Sequence, residues 1–207
     1  PCAGRSLLAI PYSKLVTTMR FCILVLFTLL PLLASAAPLW ESPVWVHGEQ
    51  SGDQFGQAII SVDFNADGYL DLAVAAPAAD LAGLSSGTVY LYFGGPAADT
   101  IADLRLVGQA SSFFGQSLAP AGDFNDDGYP DLLVGAPFYD TPATSAGAVF
   151  LYYGGATPDS TVDHIFTGEA GGDYLGISVA GIGDFNADGF DDIAAGAYRA
   201  DWGRSES

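Results

Sequence analysis

The sequence predicts an all-β protein of the β-propeller class, built from four-stranded blades, and three observations lead to that prediction. Three similar units follow one another at residues 48–107, 108–167 and 168–207, and the first two are 60 residues long. Each unit carries the same nine-residue acidic loop between two short apolar segments. Beyond residue 36, no stretch has convincing helical periodicity. Repeats of this period that consist of short strands indicate a radial propeller or an array.

The first 36 residues are expected to lie outside this fold. Residues 1–18 precede the single methionine, Met19, and are interpreted as translated upstream sequence. Residues 19–36 combine a basic start, a short apolar run and an Ala-Ser-Ala cleavage pattern, which predicts a secretory signal peptide. A transmembrane helix is the alternative, but the run is short for a bilayer span and contains a proline. The propeller fragment is therefore expected at residues 37–207, in a secreted or surface-displayed protein.

Each unit then shows the same order of strand and turn signals. An aromatic-Gly pair (Phe55-Gly56, Phe114-Gly115) opens the first strand, and the acidic loop leads into a second strand. A third strand of alternating apolar residues ends in Gly-Gly, and a short fourth strand leads into the next unit. Such strands between Gly, Pro, Asn and Asp turns form antiparallel blades. The predicted bounds are 58–62, 116–121 and 177–182 for the first strands, 88–93 and 148–153 for the third, and 104–107 and 164–167 for the fourth.

The number of blades follows from where these signals start and stop. Residues 44–47 occupy the place of a fourth strand with no preceding blade, so they are expected to complete the last blade of a closed ring. The third unit has 40 residues, so the sequence is expected to carry about two and a half blades. A β-sandwich with coincidental internal similarity is the alternative, and the three matched acidic loops disfavour it.

Charge and cysteine content limit the partners and the source of stability. The chain has 24 acidic and 6 basic residues and a formal net charge of −18, which disfavours nucleic acid and anionic membrane surfaces as partners. Both cysteines, Cys2 and Cys22, precede residue 37. An exported fold without disulfides is expected to depend on packing and on bound metal.

The acidic loop is the candidate metal site. Oxygen ligands at positions 1, 3, 5 and 9, a backbone carbonyl at position 7 and a glycine at position 6 suit a hard cation. Calcium is favoured over magnesium because the oxygen set is flexible and extracellular, and about three structural Ca²⁺ ions are expected, one per loop. The alternative is a metal-free turn rich in Asp, Asn and Gly. The predicted ligands are Asp63, Asn65, Asp67, Tyr69 and Asp71 in unit one, Asp123, Asn125, Asp127, Tyr129 and Asp131 in unit two, and Asp184, Asn186, Asp188, Phe190 and Asp192 in unit three.

Catalytic patterns are scarce, and the chain is not expected to be an enzyme. His47 and His164 occupy equivalent positions on predicted fourth strands, which indicates a strand role for both. HExxH and phosphate-loop motifs are absent from the sequence. Trp45, Tyr139 and Trp202 are candidates for a binding surface, although core or rim packing is the favoured interpretation.

The order Phe-Gly, Asp-x-Asn-x-Asp-Gly-x-x-Asp, Gly-Ala-Pro resembles the FG-GAP repeat of the integrin α-chain N-terminal β-propeller. The resemblance covers residues 44–207, and unit three departs from it at Leu175 and Tyr198. It implies a seven-bladed ring with calcium loops between first and second strands. It also implies an adhesion or protein-binding module with an extracellular protein or glycan as partner. Two alternatives stay open, namely the non-catalytic propeller of a secreted hydrolase, as in glycosylphosphatidylinositol-specific phospholipase D, and an exported structural repeat protein.

Overall fold

The computed structural model describes residues 5–7, 45–141 and 143–200. All regular secondary structure in these ranges is β-strand. The described residues therefore include no helix long and apolar enough to cross a membrane. The predicted signal peptide at 19–36 and most of residues 1–18 lie outside the described ranges. The strands are β1 (Arg5–Leu7), β2 (Trp45–His47), β3 (Ile59–Val62), β4 (Asp71–Ala76), β5 (Thr88–Tyr92), β6 (Leu104–Val107), β7 (Ser117–Gly122), β8 (Asp131–Ala136), β9 (Ala148–Tyr152), β10 (His164–Thr167), β11 (Ser178–Gly183) and β12 (Asp192–Gly196).

Two of the sheets are four-stranded antiparallel blades, as the repeat predicts. Blade one has the order β3-β4-β5-β6 and blade two the order β7-β8-β9-β10, so sequential strands are neighbours. The hairpin β11-β12 repeats the first half of this pattern in unit three, and we call it hairpin three. At the other end of the chain, β2 pairs antiparallel with β1, with Val46 opposite Ser6. The all-β class and the four-stranded blade are confirmed, and the arrangement is that of part of a propeller.

The predicted strand bounds agree with the structure to within one residue at most ends. The agreement follows from composition, since β-branched and aromatic residues lie between Gly, Pro, Asn and Asp turns. Strands β4, β5, β8 and β9 are buried along their whole length. Side chains on such strands point alternately to the two faces of the sheet. Leu72 and Val74 therefore lie on one face of blade one, whereas Ala73 and Ala75 lie on the other.

The main hydrophobic core lies between blades one and two. Small residues on the blade-one face leave room for larger side chains from blade two, so the two sheets interdigitate. Buried hydrogen bonds also cross this interface, including one from Ser112 Oγ to the Ser86 carbonyl (3.1 Å). The core residues are Phe64, Ala73, Ala75, Val89, Leu91 and Leu106 of unit one with Phe114, Leu132, Val134, Ala136, Ala148, Phe150 and Tyr152 of unit two.

A second core joins blade two to hairpin three. Leu133, Val149 and Leu151 are buried there, and Val179 and Ile193 of the hairpin pack against them. Small residues permit this close approach. A side chain at Gly135 would put its Cβ 2.0 Å from the Gly176 carbonyl oxygen.

Candidate functional site

All three acidic loops connect the first strand of a unit to the second, which places them at the same end of each sheet. The connections are β3–β4, β7–β8 and β11–β12. Each predicted set of five ligands therefore belongs to one tight turn. The central glycines have φ angles of 90°, 90° and 98° at Gly68, Gly128 and Gly189, a region that favours glycine.

Within loop one, the side-chain oxygens at positions 1, 3 and 5 are drawn together by backbone amides. The Asp67 amide donates to both Asp63 Oδ1 and Asn65 Oδ1, each at 3.0 Å. The Gly68 amide donates to the other oxygen of Asp63 at 2.9 Å, and the Tyr69 amide donates to Asp67 Oδ1 at 2.9 Å. Two oxygens that accept from one N–H lie close together, so the loop brings the side-chain oxygens of Asp63 and Asn65 near each other.

Loop two repeats this arrangement, and loop three repeats the part that involves the position-one carboxylate. The Asp127 amide donates to Asp123 Oδ1 (2.9 Å) and Asn125 Oδ1 (3.2 Å), and the Asp188 amide donates to Asp184 Oδ1 (3.0 Å). One difference concerns Asn186. Its side-chain amide donates to the position-nine carboxylate at 3.3 Å in loop three.

The carboxylate at position nine ties each of the first two loops to its blade. Asp71 is fully buried and accepts from the amides of Phe64 and Gly94, both at 2.8 Å. Asp131 does the same with the amides of Phe124 and Gly154, both at 2.8 Å. Since Gly94 and Gly154 follow the third strands, this carboxylate joins the acidic loop to the end of the adjacent third strand.

Burial and neighbouring negative charge disfavour the ionised form of these position-nine carboxylates and raise their pKa. Burial raises the pKa of Asp131 to about 6; the two amide hydrogen bonds oppose the rise, and the charges of Asp127 and Asp123 add to it. The pKa of Asp71 is raised for the same reasons, with burial again the largest. The loop carboxylates thus repel one another, and a cation would remove that repulsion.

The donor set fits a calcium ion in its chemistry. Each loop offers three carboxylates and one side-chain amide, all oxygen ligands of the kind that Ca²⁺ prefers. An oxygen that accepts one N–H keeps a second lone pair for a cation. Within the described ranges, no three His, Cys, Asp or Glu side chains are gathered as closely as a bound ion would hold them. The position-nine carboxylate is held by amides at the base of the loop, and the assignment of these residues as ligands stays a prediction.

An aromatic strip lies at the opposite end of the sheets, where first strands begin and second strands end. It consists of Phe113, Phe138, Tyr174 and Tyr198, whose successive ring centroids are 5.1, 5.3 and 5.5 Å apart. The guanidinium of Arg199 lies over the rings of Tyr174 and Tyr198, at 5.3 and 5.5 Å from their centroids. Phe138 and Tyr198 are exposed, at 37% and 64%. Phe113 and Tyr174 are half-buried. A contiguous, partly exposed apolar surface of this kind is typical of an interaction site.

Two features indicate that the blade fold does not require this strip. Phe113 and Tyr174 have φ angles of 52° and 57°, in a region that bulky residues rarely adopt. Unit one builds the equivalent turns with Gln54 and Ala78, the former at φ 59°. Sequence reasoning missed the strip, although the aromatic residue before the Phe-Gly or Leu-Gly pair in units two and three was a readable signal.

The sequence-predicted surface aromatic residues behave differently from the strip. Tyr139 packs edge-on against Phe150 at 5.3 Å and joins the core, as the favoured interpretation predicts. Trp45 is exposed at 38%, and Trp202 lies outside the described residues. His47 and His164 both lie on strands, and the Nε2 atom of His164 is 2.8 Å from the hydroxyl of Tyr153.

Known proteins are similar to this chain in sequence. The FG-GAP repeat matches this chain at residues 55–92, 114–152 and 175–207. Integrin alpha-6 of Gallus gallus is 38% identical over 154 residues, which is 72% of this chain and 14% of that protein. Integrin alpha-6 of Homo sapiens is 35% identical over 153 residues, covering 72% of this chain and 13% of that protein. Integrin alpha-7 of Rattus norvegicus is 38% identical over 159 residues, covering 74% and 14%. The chain thus spans about one seventh of the length of these relatives.

Proposed function

The chain belongs to the FG-GAP repeat family, and from that premise we propose that it is a calcium-stabilised adhesion module that acts outside the cell. Its similarity to integrin alpha chains supports the adhesion role and an extracellular location. The secretory signal predicted at residues 19–36 is a sequence argument for the same location. The proposed partner is an extracellular protein, with a glycan as the other class to be tested.

The single observation that carries the calcium part of the proposal is the threefold repetition of one loop geometry. In each loop the position-one carboxylate accepts from the amides at positions five and six, at 2.8 to 3.1 Å. The conformation is therefore a property of the loop sequence and not of one local contact. Bound Ca²⁺ would neutralise repelling carboxylates and stiffen the first hairpin of every unit.

Thermal unfolding of the full chain in excess Ca²⁺ and in excess chelator tests this part. Calcium bound to the native loops raises the melting temperature, because a ligand that binds only the folded state stabilises it. Magnesium at the same concentration is the control, and we expect a smaller shift because Mg²⁺ gives up its water reluctantly. Equal melting temperatures in Ca²⁺ and chelator would contradict the calcium proposal.

The aromatic strip is the surface we propose for the partner. It combines exposed rings with the guanidinium of Arg199, and aromatic and Arg side chains are enriched at the centres of protein interfaces. It lies at the end of the sheets away from the acidic loops, so partner and calcium do not compete. A role in adhesion and not in catalysis is supported by the integrin relatives.

Binding to immobilised extracellular matrix, with matrix glycans removed enzymatically in a parallel sample, tests the surface. Phe138→Ala combined with Tyr198→Ala is expected to weaken retention at least about tenfold, since interface aromatic residues contribute 2 kcal/mol or more each at hot spots. Leu84→Ala is the matched control, because Leu84 is 72% exposed on the corresponding loop of unit one but outside the strip. An equal loss of retention in Leu84→Ala and in the double variant would contradict this surface. A loss of wild-type retention after glycan removal would identify a glycan partner.

A further inference from the structure

A carboxylate of unit three reaches back to the acidic loop of unit two. Asp191 Oδ2 accepts a hydrogen bond of 2.9 Å from the backbone amide of Asp123, 68 residues earlier in the chain. Asp123 is position one of loop two, and its own carboxylate accepts from the amides of Asp127 and Gly128 at 2.9 and 2.8 Å. Asp191 also directly precedes Asp192, the position-nine residue of loop three. One side chain therefore connects the two loops.

The backbone of blade two is shaped to admit this carboxylate. Gly122 has a φ of 79°, and a Cβ there would lie 2.0 Å from Asp191 Oδ2. The register of β7 and β8 shifts between Pro120 and Gly122, which marks a bulge at the end of the strand. Unit one has Val62 at the position of Gly122, and its register continues without a shift to Asp71. The approach of Asp191 thus depends on a glycine and a bulge that unit one does not have.

The side chain itself is also particular to unit three. Position eight of the acidic loop is Leu70 in unit one and Pro130 in unit two. Loop one is contacted by the next blade through backbone groups, since the Gly155 amide donates to the Phe64 carbonyl at 3.0 Å. Among the hydrogen bonds that the described residues make between units, a charged side chain reaches loop two and none reaches loop one.

We propose that Asp191 is a positioning residue for the cation site of loop two, supplied by the neighbouring unit. This inference rests on the proposed calcium binding. Fixing the Asp123 backbone orders the first ligand before the ion arrives, and an ordered site loses less entropy on binding. Because coupling is reciprocal, an ion in loop two also strengthens the docking of hairpin three on blade two.

Calcium titration of the full chain, followed by amide hydrogen exchange in each acidic loop, tests the proposal. In Asp191→Leu, which copies unit one, the calcium concentration that protects loop two rises about fivefold or more, a typical coupling between sites. Loop one keeps its midpoint. Asp191→Asn retains most of the affinity, because its side-chain oxygen accepts the same hydrogen bond. Asp126→Asn is the charge control: Asp126 is an exposed acid within loop two at a position that is not a predicted ligand.

The proposal is overturned by equal shifts in loops one and two, by a shift in Asp126→Asn as large as in Asp191→Leu, or by no shift in Asp191→Leu. Exchange of the Asp123 amide in chelator is measured alongside, and it becomes faster in Asp191→Leu if the hydrogen bond holds this residue without metal. That readout separates calcium binding by the loops from the contact of Asp191 with Asp123. Absence of calcium protection in every wild-type loop would reject calcium binding itself, whereas unchanged Asp123 exchange in Asp191→Leu would reject the Asp191 contact.

Discussion

At the scale of single residues, equivalent positions of the repeat differ in burial although they share identity. Phe64, Phe124 and Phe185 all occupy position two of an acidic loop. Phe64 is 2% exposed because residues of blade two cover it, whereas Phe185 is 81% exposed. An apolar residue at position two of the loop favours an anchor in the core. The residue type alone does not show which of these phenylalanines a neighbouring unit covers, so the difference in burial was not predictable from position two.

We therefore expect Phe64→Ala and Phe185→Ala to have different effects on stability. Phe64→Ala is expected to reduce the free energy of unfolding by about 3–5 kcal/mol, the usual cost of emptying a buried phenylalanine site. Phe185→Ala is expected to change it by no more than about 0.5 kcal/mol, as for other surface substitutions. Urea unfolding of both variants measures the difference. Equal losses would show that position two acts within its own loop and not through the adjacent blade.

The ligand role of the acidic loops is tested by two neighbouring aspartates. Asp127 is position five of loop two, and Asp126 precedes it at an exposed position that is not a predicted ligand. We expect Asp127→Asn to lower the calcium affinity of loop two roughly tenfold, because affinity depends on the number of charged ligands. Asp126→Asn removes the same charge and is expected to have a much smaller effect. Calorimetric titration decides, and equal effects would mean that general charge, not ligation, governs binding.

At the scale of strands and sheets, the position of each strand was predictable because local chemistry determines it. Strand β5 ends at Tyr92, one residue before the predicted bound, and β6 has the predicted bounds. Both results follow from alternating apolar residues between Gly and Asp turns. The aromatic strip was not predictable in the same way. Phe138 and Tyr174 are 36 residues apart and meet only because adjacent units pack at 5.3 Å between rings. The contact of Asp191 with loop two was not predictable either, because position eight of the acidic loop has no shared residue type.

The spacing between blade two and hairpin three makes a further prediction at this scale. Gly135 and Gly196 are equivalent and lie opposite Ser117 and Ser178 in their sheets. A Cβ at Gly135 would lie 2.0 Å from the Gly176 carbonyl oxygen, whereas at Gly196 the nearest atom is the rotatable Ser178 Oγ at 2.5 Å. We expect Gly135→Ala to destabilise the protein by about 1–3 kcal/mol through overpacking.

Gly196→Ala is the matched control for that prediction. Its new methyl group meets a hydroxyl that can change rotamer, so we expect a loss well below that of Gly135→Ala. Denaturant midpoints at equal slopes give the comparison. Similar losses in the two variants would indicate that glycine is needed for strand conformation within each unit, and that contact between units is not the cause.

At the scale of the whole molecule, stability is unevenly distributed because each unit depends on its neighbours. Strands β4, β5, β8 and β9 are buried throughout, whereas β10 is exposed at every residue and β11 at five of its six. Units that contact only their neighbours behave as a linear array, in which each interface adds stability to the units beside it. Units one and two share the largest core, and unit three is joined to it through a smaller one.

This distribution predicts a gradient of amide exchange in the full chain. We expect β4, β5, β8 and β9 to exchange only by global unfolding and β11 and β12 to exchange by local opening, because few buried contacts hold the latter. Calcium is expected to slow exchange in the acidic loops and, through Asp191, in the hairpin that carries it. Hydrogen exchange with and without chelator measures both effects. Uniform exchange across the three units would mean that the fold unfolds as one cooperative body. Hairpin three would then not open separately, and the Asp191 contact could not couple its opening to calcium binding in loop two.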